Sequence, residues 1–296
     1  MNEKNTKLLE RHKDILSFRD LEMKTVATYV SYMTGFINWD ESELDGKDLN
    51  EVTWEEVRAY VRYLKNVKGL NPRTINVHLA QLRDFYYYVL HKDWDRREVP
   101  FLHFDEKLPI VPSREEVNAI IDSIVNPKHK AEIALLYSSG MRVNELCGLY
   151  CHDIKRAEKN IFIAHGKNRS SRYAILSDKA LEVLITYIKT SYRGAKPDDW
   201  LFPGQHAGKH ISDQSIYNVF KRQLDRLGLG DKGYTLHSLR HAFGLHLYDA
   251  GYDLMAIKEA LGHKSLSSTQ VYVTLGIGNG RIVKSPYDFG DDDTNK

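Results

Sequence analysis

The sequence predicts a mainly α-helical protein with a small β-sheet, divided into two domains. Three observations predict this. Apolar residues recur at helical spacing along most of the 296 residues, as Val26, Tyr29, Val30, Met33 and Phe36 do. One segment, Asn160 to Leu176, reads instead as a β-hairpin. A stretch with Pro100, Pro109 and Pro112 and no periodicity separates an N-terminal helical block from the remainder. The expected domains are 1–104 and 113–285, with a linker at 105–112 and an acidic, disordered tail at 286–296.

In the first domain, Leu21 to about Trp39 is expected to be a helix, and Asp40 to Asp48 an acidic loop. Thr53-Trp-Glu-Glu56 has the spacing of a capping box: hydroxyl to the third amide, carboxylate back to the first. It starts a helix ending near Gly69. Asn71 caps the next helix, with Pro72 at its first position. The buried face there is Ile75, Leu79, Leu82, Tyr86 and Val89. Ser113-Arg-Glu-Glu116 is a second capping box and opens the second domain. Gly140 should stop the helix containing Glu132 to Tyr137. A short helix follows from Arg142 to Leu149. Strands at Asn160–Ala164 and Ser171–Leu176 flank the turn from His165 to Ser170. Helices are expected at Asp178 to about Lys189, Ser212 to about Leu227, His237 to Gly251 and Asp253 to Gly262. A last short helix carries Tyr272. The glycine-containing stretch from Gly276 to Asp288 does not read as helix.

Hydrophobic residues at 42% and charged residues at 28% describe a soluble globular protein. No apolar run approaches the ~18 residues of a membrane span. The opening segment is charged and lacks the apolar stretch of a signal peptide, so a cytoplasmic protein is expected. Cys147 and Cys151 are expected to be reduced thiols. With His152 they lack the second ligand cluster that a structural zinc site needs. The net charge of +2 is a weak pointer to nucleic acid, but the acidic residues of 288–293 mask basic charge elsewhere.

Several side chains carry chemistry. Arg142 follows a glycine turn, with Glu145 three residues on along the same helix face. Alone it would read as a surface ion pair; it could equally be a phosphate ligand oriented by Glu145. Lys167 sits at the hairpin tip, a solvated position or a mobile cation able to release a proton. Arg169 and Arg172 make that hairpin basic. His237 and Arg240 share a face in the first turn of their helix. His241 invites a metal reading, but a zinc-protease helix needs Glu where Ser238 stands. The segment Asp253 to Tyr272 could be a DNA-reading helix-turn-helix, with Tyr272 a mere contact. Tyr272 is one of 18 tyrosines, and a tyrosine taken blindly is more often packing than catalysis. In the first domain, Arg58, Arg62 and Lys65 form a basic stripe. Arg73, Thr74 and Asn76 gather at a helix N-terminus, where amides favour phosphate. These are ordinary surface residues or a DNA grip.

Taken in order, these pieces resemble the tyrosine recombinase, or phage integrase, family, of the Xer/integrase kind, over nearly the whole chain. Ser139-Gly-Met-Arg142-Val-Asn-Glu145-Leu146 resembles the family's first arginine box. His237-Ser-Leu-Arg240-His241-Ala-Phe243 resembles the second. Leu261-Gly-His263 through Thr269-Gln-Val-Tyr272 resembles the nucleophile box. Lys167 falls on the hairpin lysine. Val273-Thr-Leu275 stands where Thr-His-Val is common, and Ala242 where Ser or Thr is frequent.

The resemblance implies an N-terminal helical core-binding domain and an α-helical catalytic domain with a β-hairpin, together a C-shaped clamp on DNA. It implies Tyr272 as nucleophile, forming a 3′-phosphotyrosine. Arg142 and Arg240 would stabilise the transition state and Lys167 protonate the leaving 5′-oxygen. His237 and His263 would bond the phosphate or assist proton transfer, with no metal and no ATP. The implied partners are duplex DNA carrying a specific core site, accessory DNA-binding proteins, and other copies of the chain. These would form a homotetramer on two sites from a monomer or dimer off DNA. The implied setting is the prokaryotic cytoplasm, at the nucleoid when acting. The C-terminal segment, with Ile282, Val283 and Tyr287 as anchors, would dock on a neighbouring protomer. A non-catalytic helix-turn-helix regulator and a type IB topoisomerase-like enzyme stay open as alternatives. His241 is left over, and is expected to pack beneath the site without acting in it.

Overall fold

The computed structural model describes residues 3–19, 21–164 and 171–278, with side chains through Gly276 in the last helix. The chain separates into two compact units, Met1–Glu106 and Lys107–Lys296. Among the described residues the architecture is helical with one three-stranded antiparallel sheet, as the sequence predicts. No described helix is long and apolar enough to cross a membrane.

The first unit holds α1 (Glu3–Phe18), α2 (Met23–Glu43), α3 (Trp54–Asn66) and α4 (Pro72–Tyr88). Thr53 and Glu56 form the expected reciprocal cap of α3, and Asn71 caps α4 through the Thr74 amide. All five expected face residues of α4 are buried, against Met33, Phe36 and Ile37 of α2 and Tyr60 and Leu64 of α3. Phe36 meets Tyr60 edge-on at 5.0 Å, a favoured aromatic geometry.

One helix was not singled out in the sequence, and one expectation needs correction. Helix α1 escaped the periodicity because two of its three buried positions are polar, Asn5 and His12, with Leu16 the third. The expected acidic loop begins late, because α2 continues to Glu43. Asp40 is wholly buried within it and accepts a hydrogen bond from Asn5 Nδ2.

The second unit is built around α6 (Pro127–Ser139), whose residues from Ala131 to Leu136 are buried on every side, as in a central core helix. It packs against α8 (Asp178–Ser191), α10 (Leu236–Asp249), α5 (Arg114–Asp122) and α9 (Asp213–Arg226). A short α7 (Val143–Cys147) follows α6. Strands β2 (Asn160–Ile163) and β3 (Arg172–Ile175) pair antiparallel in the register Ile163 opposite Arg172. A third strand, β1 (Ile154–Lys155), pairs with β2; at two residues it is too short for any sequence period to reveal. Helices α11 (Leu254–Leu261) and α12 (Ser267–Gly278) pack against α10.

The glycine-containing end of α12 is also a correction, since helix persists to Gly278. Gly276 is there for space: a Cβ would lie 2.7 Å from Cε1 of Tyr248. A smaller core of Phe243, Leu245, Ile257, Leu261 and Tyr272 ties α10, α11 and α12 together.

Candidate active site

Gly140 ends α6 with φ 61°, a conformation open to glycine, and a Cβ there would meet Phe243 Cδ1 at 2.4 Å. The tight turn delivers Arg142 to the N-cap of α7. Glu145, at the third position of that helix, reaches back. Its Oε2 accepts from the Arg142 backbone amide at 2.8 Å, and its Oε1 from Arg142 Nη1 at 3.0 Å. Arg172 of β3 comes to the same carboxylate, Nη2 donating to Oε2 at 2.9 Å. Its side chain is largely enclosed, so it belongs to this cluster and not to an exposed hairpin face.

Thr235 caps α10 through the Ser238 amide, setting His237, Arg240 and His241 in its first turns. Arg240 is 2% exposed. It donates to Gly140 O at 2.6 Å and to Leu261 O at 2.7 Å. One guanidinium thus fastens the turn before Arg142 to the end of α11 before His263. Burial, then the nearby charge of Arg142, pulls Arg240 down to about 10, still a cation at neutral pH. His237 is lowered by burial and by Arg240 and Arg142.

Asp253 caps α11, and Gly262 ends it with φ 64°. His263 follows, its Nδ1 paired with Thr269 Oγ1 at 2.9 Å. Burial and the surrounding cations take His263 down to about 3. Tyr272 lies on α12 with its ring 6.5 Å from that of His263. It is wholly buried, and burial pushes its phenol up to about 12 against the opposing pull of Arg240. Gly244 of α10 makes room for it.

His241 packs against Tyr272. Its Nδ1 lies 3.5 Å from the Tyr272 hydroxyl, and its ring meets that of His237 edge-on at 4.7 Å. Burial, then His237 and Arg240, take it down to about 4, so it is neutral at physiological pH. The i, i+4 spacing from His237 was the available signal that both rings share one face.

Lys167 and Arg169 lie outside the described residues, as do the acidic tail and Ile282, Val283 and Tyr287. In the first unit, Arg58 pairs with Glu55 and Glu98, and Arg62 with Glu55. Lys65 is exposed in the last turn of α3. Arg73 sits over the Phe104 ring at 6.0 Å. The Thr74 amide is engaged by Asn71, and both ends of the Asn76 amide bond the Leu102 backbone at 2.8 Å. A basic groove in the second unit was not anticipated. It has a volume of about 860 Å³ and is lined by Lys128, Lys209, Lys221 and Arg222, among others. Lys128, Lys209 and the adjacent pair Lys221 and Arg222 come from three separate stretches of sequence, so no single local pattern shows the groove. Cys147 and Cys151 are free thiols, both raised by burial, Cys147 to about 12. Among the described residues no group of three His, Cys, Asp or Glu could hold a metal ion.

Cations that read phosphate, gathered around an enclosed phenol, suit a phosphoryl-transfer enzyme that uses a tyrosine hydroxyl. Comparison with known proteins agrees in class. Residues 113–276 match the phage integrase family, and residues 8–96 match the phage integrase N-terminal SAM-like domain. A Sinorhizobium fredii protein designated integrase/recombinase y4qK is 33% identical over 285 residues, covering 96% of this chain and 89% of the relative. The tyrosine recombinase XerC of Bacillus pumilus is 31% identical over 265 residues, covering 84% and 85%. The Tn1549 transposon integrase, in complex with a circular intermediate DNA, superposes with a TM-score of 0.72 at 19% identity, covering 90% and 94%. The chain belongs to the phage integrase family. It is a tyrosine site-specific recombinase.

Proposed function

We propose that Tyr272 attacks a scissile phosphate of duplex DNA at a specific core site. The attack forms a 3′-phosphotyrosine and releases a 5′-hydroxyl. Arg142 and Arg240 take the non-bridging oxygens and stabilise the pentacoordinate transition state. His237 and His263 hydrogen-bond the phosphate or assist proton transfer at Tyr272. Lys167 protonates the leaving 5′-oxygen. A 5′-hydroxyl from the partner duplex then reverses the attack, so the phosphotyrosine conserves the bond energy. The reaction uses neither a metal nor ATP. Four protomers on two sites exchange strands through a Holliday junction, in the cytoplasm at the nucleoid. The outcome is integration and excision of a mobile element, or resolution of DNA multimers.

The observation that carries this reading is the position of Arg240. It is held between the Gly140 and Leu261 carbonyls, so the boxes containing Arg142 and His263 meet at one guanidinium. The basic groove of the second unit, and Arg58, Arg62, Lys65, Arg73, Thr74, Asn76 and Arg169, supply DNA contacts. Contacts of that kind make affinity fall steeply with salt.

The test is a duplex with its core site nicked near the cleavage position. A covalent adduct should form in EDTA and be lost in Tyr272→Phe; an adduct in that variant removes Tyr272 as nucleophile. Arg240→Ala should bind DNA and fail to cleave. Relaxation of a plasmid lacking the site would point to topoisomerase action instead.

A further inference from the structure

We propose that Arg172 is a positioning residue for the Arg142 guanidinium: by occupying Glu145, it lets that carboxylate orient Arg142 without neutralising it. The proposal rests on the reading of Arg142 as a phosphate ligand and Tyr272 as nucleophile.

Glu145 is buried and serves two guanidiniums, Arg142 through Oε1 and Arg172 through Oε2. An arginine and a carboxylate left alone close into a two-bonded fork. Arg142 closed on Glu145 in that way would have fewer donors for a phosphate. The Arg142 backbone amide takes one lone pair of Oε2 and Arg172 takes the other, so the fork cannot form and Arg142 keeps its remaining edge. Arg142, Arg172 and Arg240 then stand against a single carboxylate, so the cluster keeps an excess of positive charge for an incoming anion.

Two further observations set Arg172 apart from ordinary packing. Its Nε and Nη1 are enclosed without a hydrogen-bond partner among the described residues. An apolar side chain of similar length would fill the space without stranding donors, so the cation is retained for its charge. Gly262 is the second. A Cβ there would sit 2.3 Å from both Cδ and Nε of Arg172. The bend that introduces His263 is therefore shaped around the Arg172 stem.

The experiment compares two nicked core-site duplexes. One carries the ordinary scissile phosphodiester. The other carries a methylphosphonate, in which a methyl group replaces one non-bridging oxygen and removes the charge. Adduct formation is timed for the wild type, Arg172→Met, Glu145→Gln and the double variant. Arg172→Met should slow the phosphodiester about 100-fold, the scale of a lost transition-state donor, but the methylphosphonate less than about 5-fold. Adding Glu145→Gln removes the competing carboxylate and should restore at least about 10-fold of the loss. Equal losses on the two substrates, or no recovery in the double variant, overturn the proposal, because a fault in folding would slow both alike. If Arg172→Met does not fold, Arg172→Lys carries the same comparison. It keeps the charge and one donor for Oε2, so it should cleave the phosphodiester faster than Arg172→Met would be expected to, and a loss independent of substrate charge again overturns the idea. An adduct in Tyr272→Phe would instead strike the nucleophile assignment, and is scored separately.

Discussion

Gly244→Ala tests whether the phenol must stand where it does. Gly244 lies in α10 under the Tyr272 ring. An alanine Cβ there would be 2.4 Å from Cζ, 2.6 Å from Cε2 and 2.8 Å from the hydroxyl oxygen. Carbon atoms pack at about 3.5–4.0 Å, so the ring must retreat by roughly 1 Å. Tyr272 has little freedom to retreat, because it is buried among Phe243, Ile257 and Leu261. With Tyr272 as the proposed nucleophile, a misplacement of that size costs about 100-fold in rate, or about 2.7 kcal/mol of barrier. Stability should change less. Overpacking costs about 1–3 kcal/mol, and replacing a helical glycine by alanine returns about 1 kcal/mol. The assay pairs adduct formation on a nicked duplex with gel retention and a thermal melt. Gly244→Ala should bind DNA as the wild type does, melt within several degrees of it, and cleave about 100-fold more slowly. Cleavage at the wild-type rate would refute the argument that the ring position limits attack.

Other perturbations have equally definite outcomes. Arg240→Lys cannot reach both the Gly140 and Leu261 carbonyls with a fork, so one acceptor is left enclosed. Unfolding free energy should drop by about 1–3 kcal/mol, with cleavage abolished and DNA retained; an unchanged melt would show that the two carbonyls are held by something else. Asp40 is raised to about 6 from an unfolded value of 3.8, chiefly by burial and then by Glu41 and Glu56. A carboxyl raised on folding binds its proton more tightly in the native state, so stability falls as pH rises from about 4 to 6, and the penalty is complete at neutral pH. Asp40→Asn should therefore stabilise the protein by about 2–3 kcal/mol near neutral pH and change little below about pH 4; denaturant melts showing the reverse pH trend would contradict this.

Local chemistry made much of the fold legible. Thr53, Asn71 and Ser113 cap helices because each oxygen meets an amide within its own turn, and that geometry is written in three or four consecutive residues. The same holds for Gly140 and Gly262, whose positive φ follows from the helix ends they terminate. Asn5, His12 and Asp40 were illegible because a buried polar residue breaks the apolar period that marks a core face. In the candidate site, the boxes around Arg142, Arg240 and Tyr272 could be read as separate strings. What joins them could not. Arg172 meets Glu145 across 27 residues, and Arg240 meets Gly140 across 100, through contacts that only the packed helices create. Spacing shows that His241 shares a face with His237 but not that α12 lies over that face.

The complete burial of Tyr272 has a kinetic consequence. A hydroxyl that no water can touch is out of reach of a scissile phosphorus as well. With Tyr272 as the proposed nucleophile, its cover must open while the ring keeps its seat over Gly244, so arrival of the substrate is separated in time from commitment to cutting. A copy resting on a chance stretch of sequence keeps its weapon sheathed. For an enzyme that breaks a strand before it rejoins it to a partner, that delay guards against cuts made before there is anything to join.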